Sequence, residues 1–216
     1  MKEEILGNSH QREFWEGTFG DSYIDRNDSL DTINTNYKNE TRVTVEEIFN
    51  EFFEKIDRKS RILELGCNIG VNLGILKKMG FCDLHGLEIN KKAVEIARSK
   101  NPDITFIHSS IEEYDNNEQF DLVYTAGVLI HINPKALNQI IQKIISLTNK
   151  YVFGFENYAD KLVTINYRDN PNTCWKQNFS NLYLQTGKIN IIKERKIFYK
   201  DSNLIDIAYL LKKSST

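Results

Sequence analysis

The stretch Ile62-Leu63-Glu64-Leu65-Gly66-Cys67-Asn68-Ile69-Gly70 carries the residues best suited to chemistry in this chain. A short apolar run stops at an acid, and a tight loop follows with glycines two and six positions beyond it. A helix-like stretch comes next. Such a strand–loop–helix lets bare backbone approach a nucleotide-like ligand closely. Glu64 selects among such ligands, because a carboxylate at the strand tip repels a pyrophosphate and attracts a cation. S-adenosylmethionine carries an ammonium and a sulfonium and no phosphate, so the loop favours it over a dinucleotide. The spacing from Gly66 to Gly70 also lacks the final glycine of G-x-G-x-x-G, which argues against a dinucleotide-dependent sugar oxidoreductase.

A loop of this kind needs strands to hold it. Arg61–Leu65, 84–88, 104–107, 120–124 and 151–155 read as five buried strands separated by helical patterns. Before them, Thr44 and Glu47 have capping-box spacing, and Val45, Ile48, Phe49, Phe52, Phe53 and Ile56 form one apolar helical stripe. Residues 72–79 read as a helix closed by Gly80. Asn90 caps another through Lys100, with Ala93, Val94 and Ala97 inward and Pro102 ending it. Asn133-Pro134 marks a third helix, with proline at its first position and Leu137, Ile140, Ile141, Ile144 and Ile145 as its apolar face. Residues 189–199 and 204–212 are β-rich runs around Lys200-Asp201-Ser202-Asn203, an antiparallel hairpin at a sheet edge. Residues 160–183 show no period, and residues 1–40 read as a short helix followed by an irregular cap. The expected fold is α/β: a doubly wound, mostly parallel seven-stranded Rossmann-like sheet with a C-terminal antiparallel hairpin and an N-terminal helical cap. Residues 1–40 form the cap or lid and residues 41–216 the catalytic domain.

Composition narrows the function classes. The chain has 216 residues, enough for one core, and its formal charge of -2 is spread along it. That balance gives no general attraction to nucleic acid or to an anionic membrane surface. No apolar run approaches the ~18 residues of a membrane span. Met1-Lys2-Glu3-Glu4 opens on mixed charge with no apolar signal region, so a cytoplasmic location is expected. Cys67, Cys82 and Cys174 lack C-x-x-C spacing and read as reduced thiols, without a disulfide framework or zinc site. The histidines and acids show no ligand spacing either, so no metal is expected.

Five parallel strands, a terminal hairpin and the acid-tipped first loop resemble a class I S-adenosylmethionine-dependent methyltransferase. The resemblance covers roughly residues 60–156, and the hairpin extends it to the end. The family's first motif, E-x-G-x-G-x-G, is met by Glu64, Gly66 and Gly70. Asn68 replaces the middle glycine, and Asn tolerates left-handed backbone angles better than most residues. Glu88, beside Ile89, stands for the second motif's acid, whose carboxylate can accept both ribose hydroxyls. Ser109-Ser110 replace the third motif's Asp, which leaves Ser110 and the amide and side chain of Ile111 for the adenine. Thr125-Ala126-Gly127-Val128-Leu129-Ile130-His131 fits the family's small-residue turn, apolar pair and histidine. Thr125, Ala126 and Val128 are expected on the sulfonium side.

The N-terminal stretch reads as a lid. Gly17 and Gly20 give turns, and Tyr23 and Arg26 can reach an anionic group. Arg26 suits the methionine carboxylate through bidentate pairing. The motif F-W-x-x-x-F-G-x-x-Y-x-x-R-N, met by Phe14, Trp15, Phe19, Gly20, Tyr23, Arg26 and Asn27, resembles the methylases found beside pseudaminic acid biosynthesis enzymes. That resemblance implies a role near nonulosonic sugar or surface-glycan assembly. The expected reaction is methyl transfer to an oxygen or nitrogen of a small sugar-derived metabolite, leaving S-adenosylhomocysteine. Catalysis comes chiefly from alignment, with His131, Glu156 or Tyr158 near the reacting atoms and His131 or Glu156 as base. Asn68 and Ser110 leave open an alternative, a non-catalytic cofactor-binding partner or sensor of a glycan pathway.

Overall fold

The apolar runs assemble into a seven-stranded sheet of order β3-β2-β1-β4-β5-β9-β8. The computed structural model describes residues 8–24, 26, 29–115 and 119–214; residues 1–4 and Asn27, noted above, lie outside them. β1 (Arg61–Leu65), β2 (Asp83–Glu88), β3 (Thr105–His108), β4 (Phe120–Ala126) and β5 (Thr148–Asn157) run parallel. β8 (Ile189–Phe198) and β9 (Ile205–Lys213) form the expected antiparallel hairpin, and β9 inserts beside β5. The chain steps from β1 outward to β2 and β3, then returns to β4 on the other side. Strand order therefore reverses between β1 and β4, and the loops at their carboxyl ends diverge to leave a crevice.

Two apolar layers follow from the strand pleat. Ile62, Leu122, Tyr124 and Phe153 face α4 (Val45–Phe53), α5 (Val71–Lys78) and α6 (Lys91–Lys100). Leu63, Leu65, Val123 and Val152 face the other way, onto α7 (Leu137–Leu147) and α8 (Phe179–Leu184). The α4 stripe is realised with its capping box: Glu47 N donates to Thr44 Oγ1 at 3.0 Å, and Thr44 N to Glu47 Oε2 at 2.7 Å. Phe49 and Phe53 are fully buried and stack at 5.4 Å. Burial of each such ring contributes about 1.5–3 kcal/mol.

Four local expectations are corrected. The described part of residues 1–40 is helical rather than irregular: α1 (Ser9–Glu16), α2 (Thr18–Ile24) and α3 (Leu30–Thr41), the last capped by Ser29. Gly17 does separate α1 from α2, but Gly20 lies inside α2. A Cβ there would stand 1.9 Å from the Trp15 carbonyl oxygen, so Gly20 permits a close helix approach rather than a turn. Pro134 is not the first residue of α7. It sits in a turn ahead of it, closed by Ala136 N donating to Asn133 O at 2.9 Å.

The last correction concerns residues 160–183, which contain β6 (Val163–Tyr167), β7 (Asn170–Lys176) and α8. The β6–β7 turn is Arg168-Asp169, with φ of 51° and 61°. Both central residues of a two-residue hairpin are left-handed without a glycine, so the usual sequence signal is missing.

Gly154 pairs across the sheet with Tyr209, whose fully buried ring lies over it. A Cβ at Gly154 would meet Tyr209 Cζ at 2.0 Å. Gly154→Ala is expected to destabilise the protein by about 1–3 kcal/mol in urea unfolding, by overpacking. The cost should shrink in a Tyr209→Ala background; an equal cost in both would show that the ring contact is not its source.

Candidate active site

The β1–α5 loop is shaped by left-handed residues. Gly66, Asn68 and Gly70 have φ of 71°, 47° and 78°. Asn68 thus adopts the backbone that the glycine pattern demands. A Cβ on Gly66 would stand 2.6 Å from Val128 Cγ2, so the first and fourth loops approach over a bare backbone. Gly66 N and Cys67 N donate to Leu87 O at 2.8 and 3.0 Å, anchoring the loop to β2. Cys67 is buried, and burial pushes its thiol well above the ordinary range.

Glu88 fixes the next segment. Its Oε2 accepts from Asn68 N at 2.8 Å and its Oε1 from Asn90 N at 2.8 Å. Asn90 caps α6 through Oδ1, and its Nδ2 donates to Trp15 O at 3.3 Å and Asp21 Oδ1 at 2.9 Å. One carboxylate and one amide therefore join the loop, α6 and the N-terminal helices. Burial raises the Glu88 carboxyl pKa, against the lowering effect of these amides.

Glu64 is buried beneath the loop and does not line the cavity; its Oε1 accepts from Asn72 Nδ2 at 2.8 Å, and Asn72 does line it. Glu64 Oε2 has no hydrogen-bond partner. Burial pushes Glu64 up to about 8, and the neighbouring Glu88 adds to the rise. Glu64, expected from the sequence at the cofactor, is thus placed behind Asn72 rather than on the cavity wall.

At the β4 tip, Glu156 Oε1 accepts from Val128 N and Leu129 N at 3.2 Å each. Burial pushes Glu156 up to about 7, opposed by nearby hydrogen-bond donors. The Thr125 hydroxyl stands near the carboxyl, outside hydrogen-bond geometry. Glu156 therefore clamps the β4 loop and the 3-10 turn Leu129–His131. His131 Nδ1 lies 2.8 Å from Thr173 O. A carbonyl only accepts, so Nδ1 carries the proton and Nε2 keeps its lone pair. The ring packs between Trp15 and Tyr167, with centroids at 4.6 and 4.9 Å.

These groups surround one cavity of about 400 Å³, within the ~300–1,000 Å³ range of small-molecule sites. Tyr23, Gly66, Asn68, Glu88, Ile89, Ser110, Ile111, Ala126, Val128, His131 and Glu156 line it, as do Trp15 and Asn72. Ser110 Oγ accepts from Glu113 N at 3.2 Å, which leaves its hydroxyl hydrogen to offer. Gly70 and Thr125 lie outside the lining; Gly70 starts α5 against Phe106, and Thr125 is buried in β4.

Two expected residues are placed elsewhere. The Arg26 guanidinium lies over Phe19 and Tyr23, 5.5 and 5.9 Å from the ring centroids, rather than on the cavity wall. Tyr158 is buried beside β9 under Lys196, whose Nζ is 3.8 Å from its ring centroid. Conversely, the sequence reading missed Tyr37, Asn157 and Asp206, which also line the cavity. The available signal was an acid, Asp206, standing inside an apolar run from Leu204 to Leu211. Among the described residues, no group of three or more His, Cys, Asp or Glu stands in a metal-holding arrangement, and no helix is long and apolar enough to cross a membrane.

Residues 62–150 match the family described as Methyltransferase domain. No curated protein sequence matches the chain significantly. Among solved structures, it is similar to magnesium protoporphyrin IX methyltransferase from Synechocystis PCC 6803, crystallised with S-adenosylhomocysteine. The two share 16% identity, a TM-score of 0.71 and coverage of 96% of this chain and 100% of the other. The 1,6-didemethyltoxoflavin-N1-methyltransferase of Burkholderia thailandensis gives 12% identity, a TM-score of 0.65 and coverage of 92% and 91%. The cyclase SpnF gives 9%, 0.67, 80% and 82%. The fold is that of class I methyltransferases, with its seven-stranded sheet and terminal hairpin. With its methyltransferase domain, the chain is a methyltransferase that takes S-adenosylmethionine as its cofactor.

Burial pushes His131 down to about 4, only partly offset by the Thr173 carbonyl. The unfolded chain, with an ordinary value near ~6.5, takes up the proton first as pH falls. His131 therefore costs stability progressively between pH ~6.5 and ~4, up to the order of 3 kcal/mol. Glu64 and Glu156, with raised values, have the opposite sign and cancel when wild type is compared with a variant at His131. The stability of His131→Phe relative to wild type should rise as pH falls through this window, measured by urea unfolding. Parallel pH profiles would contradict the assigned protonation.

Proposed function

We propose that this enzyme methylates an oxygen or nitrogen of a small sugar-derived acceptor, of the nonulosonic acid or surface-glycan kind. The observation that carries the cofactor side is the set of three buried carboxylates at this site, Glu64, Glu88 and Glu156. None has an ion pair among the described residues. Such a site suits a cationic ligand with a ribose and repels a pyrophosphate. S-adenosylmethionine supplies an electrophilic methyl group when bound.

The chain's own residues then divide the work. Glu88 has lone pairs left over from its two amide partners and is the ribose acceptor in this reading. Ile89, Ser110 and Ile111 flank the base. Gly66, Asn68, Ala126 and Val128 form the bare-backbone wall, and Glu64 orients Asn72. Arg26 acts from behind Tyr23 as a positioning residue. Glu156 also positions, since its engaged oxygen holds the Val128 and Leu129 amides. His131 Nε2 is the acceptor for an alcohol's proton, whereas a neutral amine needs none. Most of the rate comes from holding the acceptor in line within a closed site.

The sugar-derived acceptor is supported by the N-terminal motif. Trp15 and Tyr23 line the cavity, Phe14 and Phe19 stack at 4.0 Å behind them, and Trp15 meets His131. The alternative of a non-catalytic partner rested on Asn68 and Ser110. Asn68 takes the left-handed backbone of the glycine it replaces, which weakens that alternative.

Isothermal titration should show S-adenosylhomocysteine binding to wild type and no binding of NAD. Glu88→Ala should weaken the former at least about tenfold, the scale of one lost charge-assisted contact. NAD binding without S-adenosylhomocysteine binding would overturn the cofactor assignment. With labelled donor and a panel of activated nonulosonic sugars and their precursors, mass spectrometry should detect a methylated product. His131→Ala should slow formation of an O-methyl product about 10²-fold or more with cofactor affinity unchanged. Full turnover in that variant on a hydroxyl acceptor removes His131 as base.

A further inference from the structure

The cavity runs across the sheet. Glu88 ends β2, while Asn157 ends β5 and pairs with Asp206 at the start of β9. Four strand intervals separate β2 from β9, roughly 19 Å at ~4.8 Å each. The adenosyl half therefore does not reach this far end, which is left for the acceptor. Its apolar wall is Ile33, Val45 and Phe155.

Asp206 is the polar centre of that end. Its Oδ2 accepts from Tyr37 Oη at 2.8 Å and from Tyr199 Oη at 3.0 Å, and its Oδ1 accepts from Asn157 Nδ2. The side chain is only 4% exposed and has no ion pair among the described residues. Burial raises the Asp206 carboxyl pKa, and the three donors converging on it oppose that rise. The hydroxyl hydrogens of Tyr37 and Tyr199 are spent on it. What remains around the carboxylate is rich in acceptors, a lone pair on Asp206 Oδ1, the Asn157 Oδ1 and the Tyr37 oxygen, against one remaining donor, the second N–H of Asn157.

We infer that the Asp206–Tyr37–Asn157 cluster is the acceptor-recognition subsite, and that it takes a hydrogen-bond-donating amino group of the acceptor while rejecting a carboxylate or phosphate at that end. The inference rests on the methyl-transfer reading and extends it to acceptor chemistry. An ammonium there offers three donors to an acceptor-rich surface and pairs with a buried carboxylate that has no ion pair among the described residues. An anionic group would face the carboxylate with a single neutral amide N–H to set against the repulsion. If the acceptor is a sugar acid, its carboxylate points away from Asp206.

The test uses two matched probes, methyl 6-amino-6-deoxyglucoside and methyl glucuronide, titrated into the full chain saturated with S-adenosylhomocysteine. The amino probe should bind at least about tenfold more tightly. Asp206→Asn should reduce that preference to within about threefold while S-adenosylhomocysteine affinity and the unfolding midpoint stay near wild type. Equal affinities in wild type, or preference for the glucuronide, overturn the inference. An unchanged preference in Asp206→Asn overturns the assignment to Asp206. Should that variant not fold, Asn157→Ala serves instead, and a preference undiminished there has the same meaning. Absence of S-adenosylhomocysteine binding to wild type is the separate result that overturns the methyl-transfer reading itself.

Discussion

The site depends on the two backbone amides that share one carboxylate. Glu88 closes β2, and its oxygens take the Asn68 and Asn90 amides from opposite sides. The first contact holds the β1–α5 loop in its left-handed path. The second sets Asn90 to cap α6 and to tether Trp15 and Asp21. Without a side chain at Gly20, α2 packs close enough for that tether to form. The β1–α5 loop, α6 and the N-terminal helices are thus held by a residue that also lines the cavity. An amide–carboxylate bond is charge-assisted and strong where water is excluded. The arrangement is therefore stiff before any ligand binds, which reduces the ordering cost of binding.

Electrostatics complete the logic. Glu88 and Glu156 line the cavity and Glu64 lies behind it, and burial pushes Glu64 up to about 8 and Glu156 up to about 7. Carboxylate charges are expensive to bury unpaired, so burial favours the protonated forms. A cationic ligand reverses that balance, since it favours the charged forms.

Much of this was legible in the sequence where periodicity and chemistry agree. Five buried strands, the α4 stripe and the Glu64–Gly70 loop each combined a hydrophobic pattern with its expected end signals. Glu88 was legible because an acid at a strand tip is conspicuous. What escaped depended on contacts between distant segments. The β6–β7 hairpin turns on Arg168-Asp169, residues that carry no turn signature even though both are left-handed. Tyr158 follows the β5 tip closely in sequence, yet the chain turns there and buries it under Lys196. Arg26 has the right charge for a carboxylate, but its neighbours Phe19 and Tyr23 supply nearer faces. Asp206 was hidden for the opposite reason: its partners Tyr37 and Asn157 lie far away in sequence and meet it only when β9 slots beside β5.

The N-terminal helices also set the surroundings of His131, through Trp15. His131 is held at about 4 chiefly by desolvation, and Trp15 and Tyr167 supply that apolar cover. Thr173 fixes the tautomer from behind, so the lone pair stays on Nε2. An imidazole with so low a value stays neutral at any physiological pH. The Gln11 amide donates to Asn172 O at 3.0 Å, linking α1 to the strand that carries Thr173. The seating of α1, the ring orientation and the basicity are therefore one coupled property. Lifting Trp15 off the imidazole would admit water and raise its proton affinity, so the seating of α1 and the protonation of His131 cannot be tuned separately.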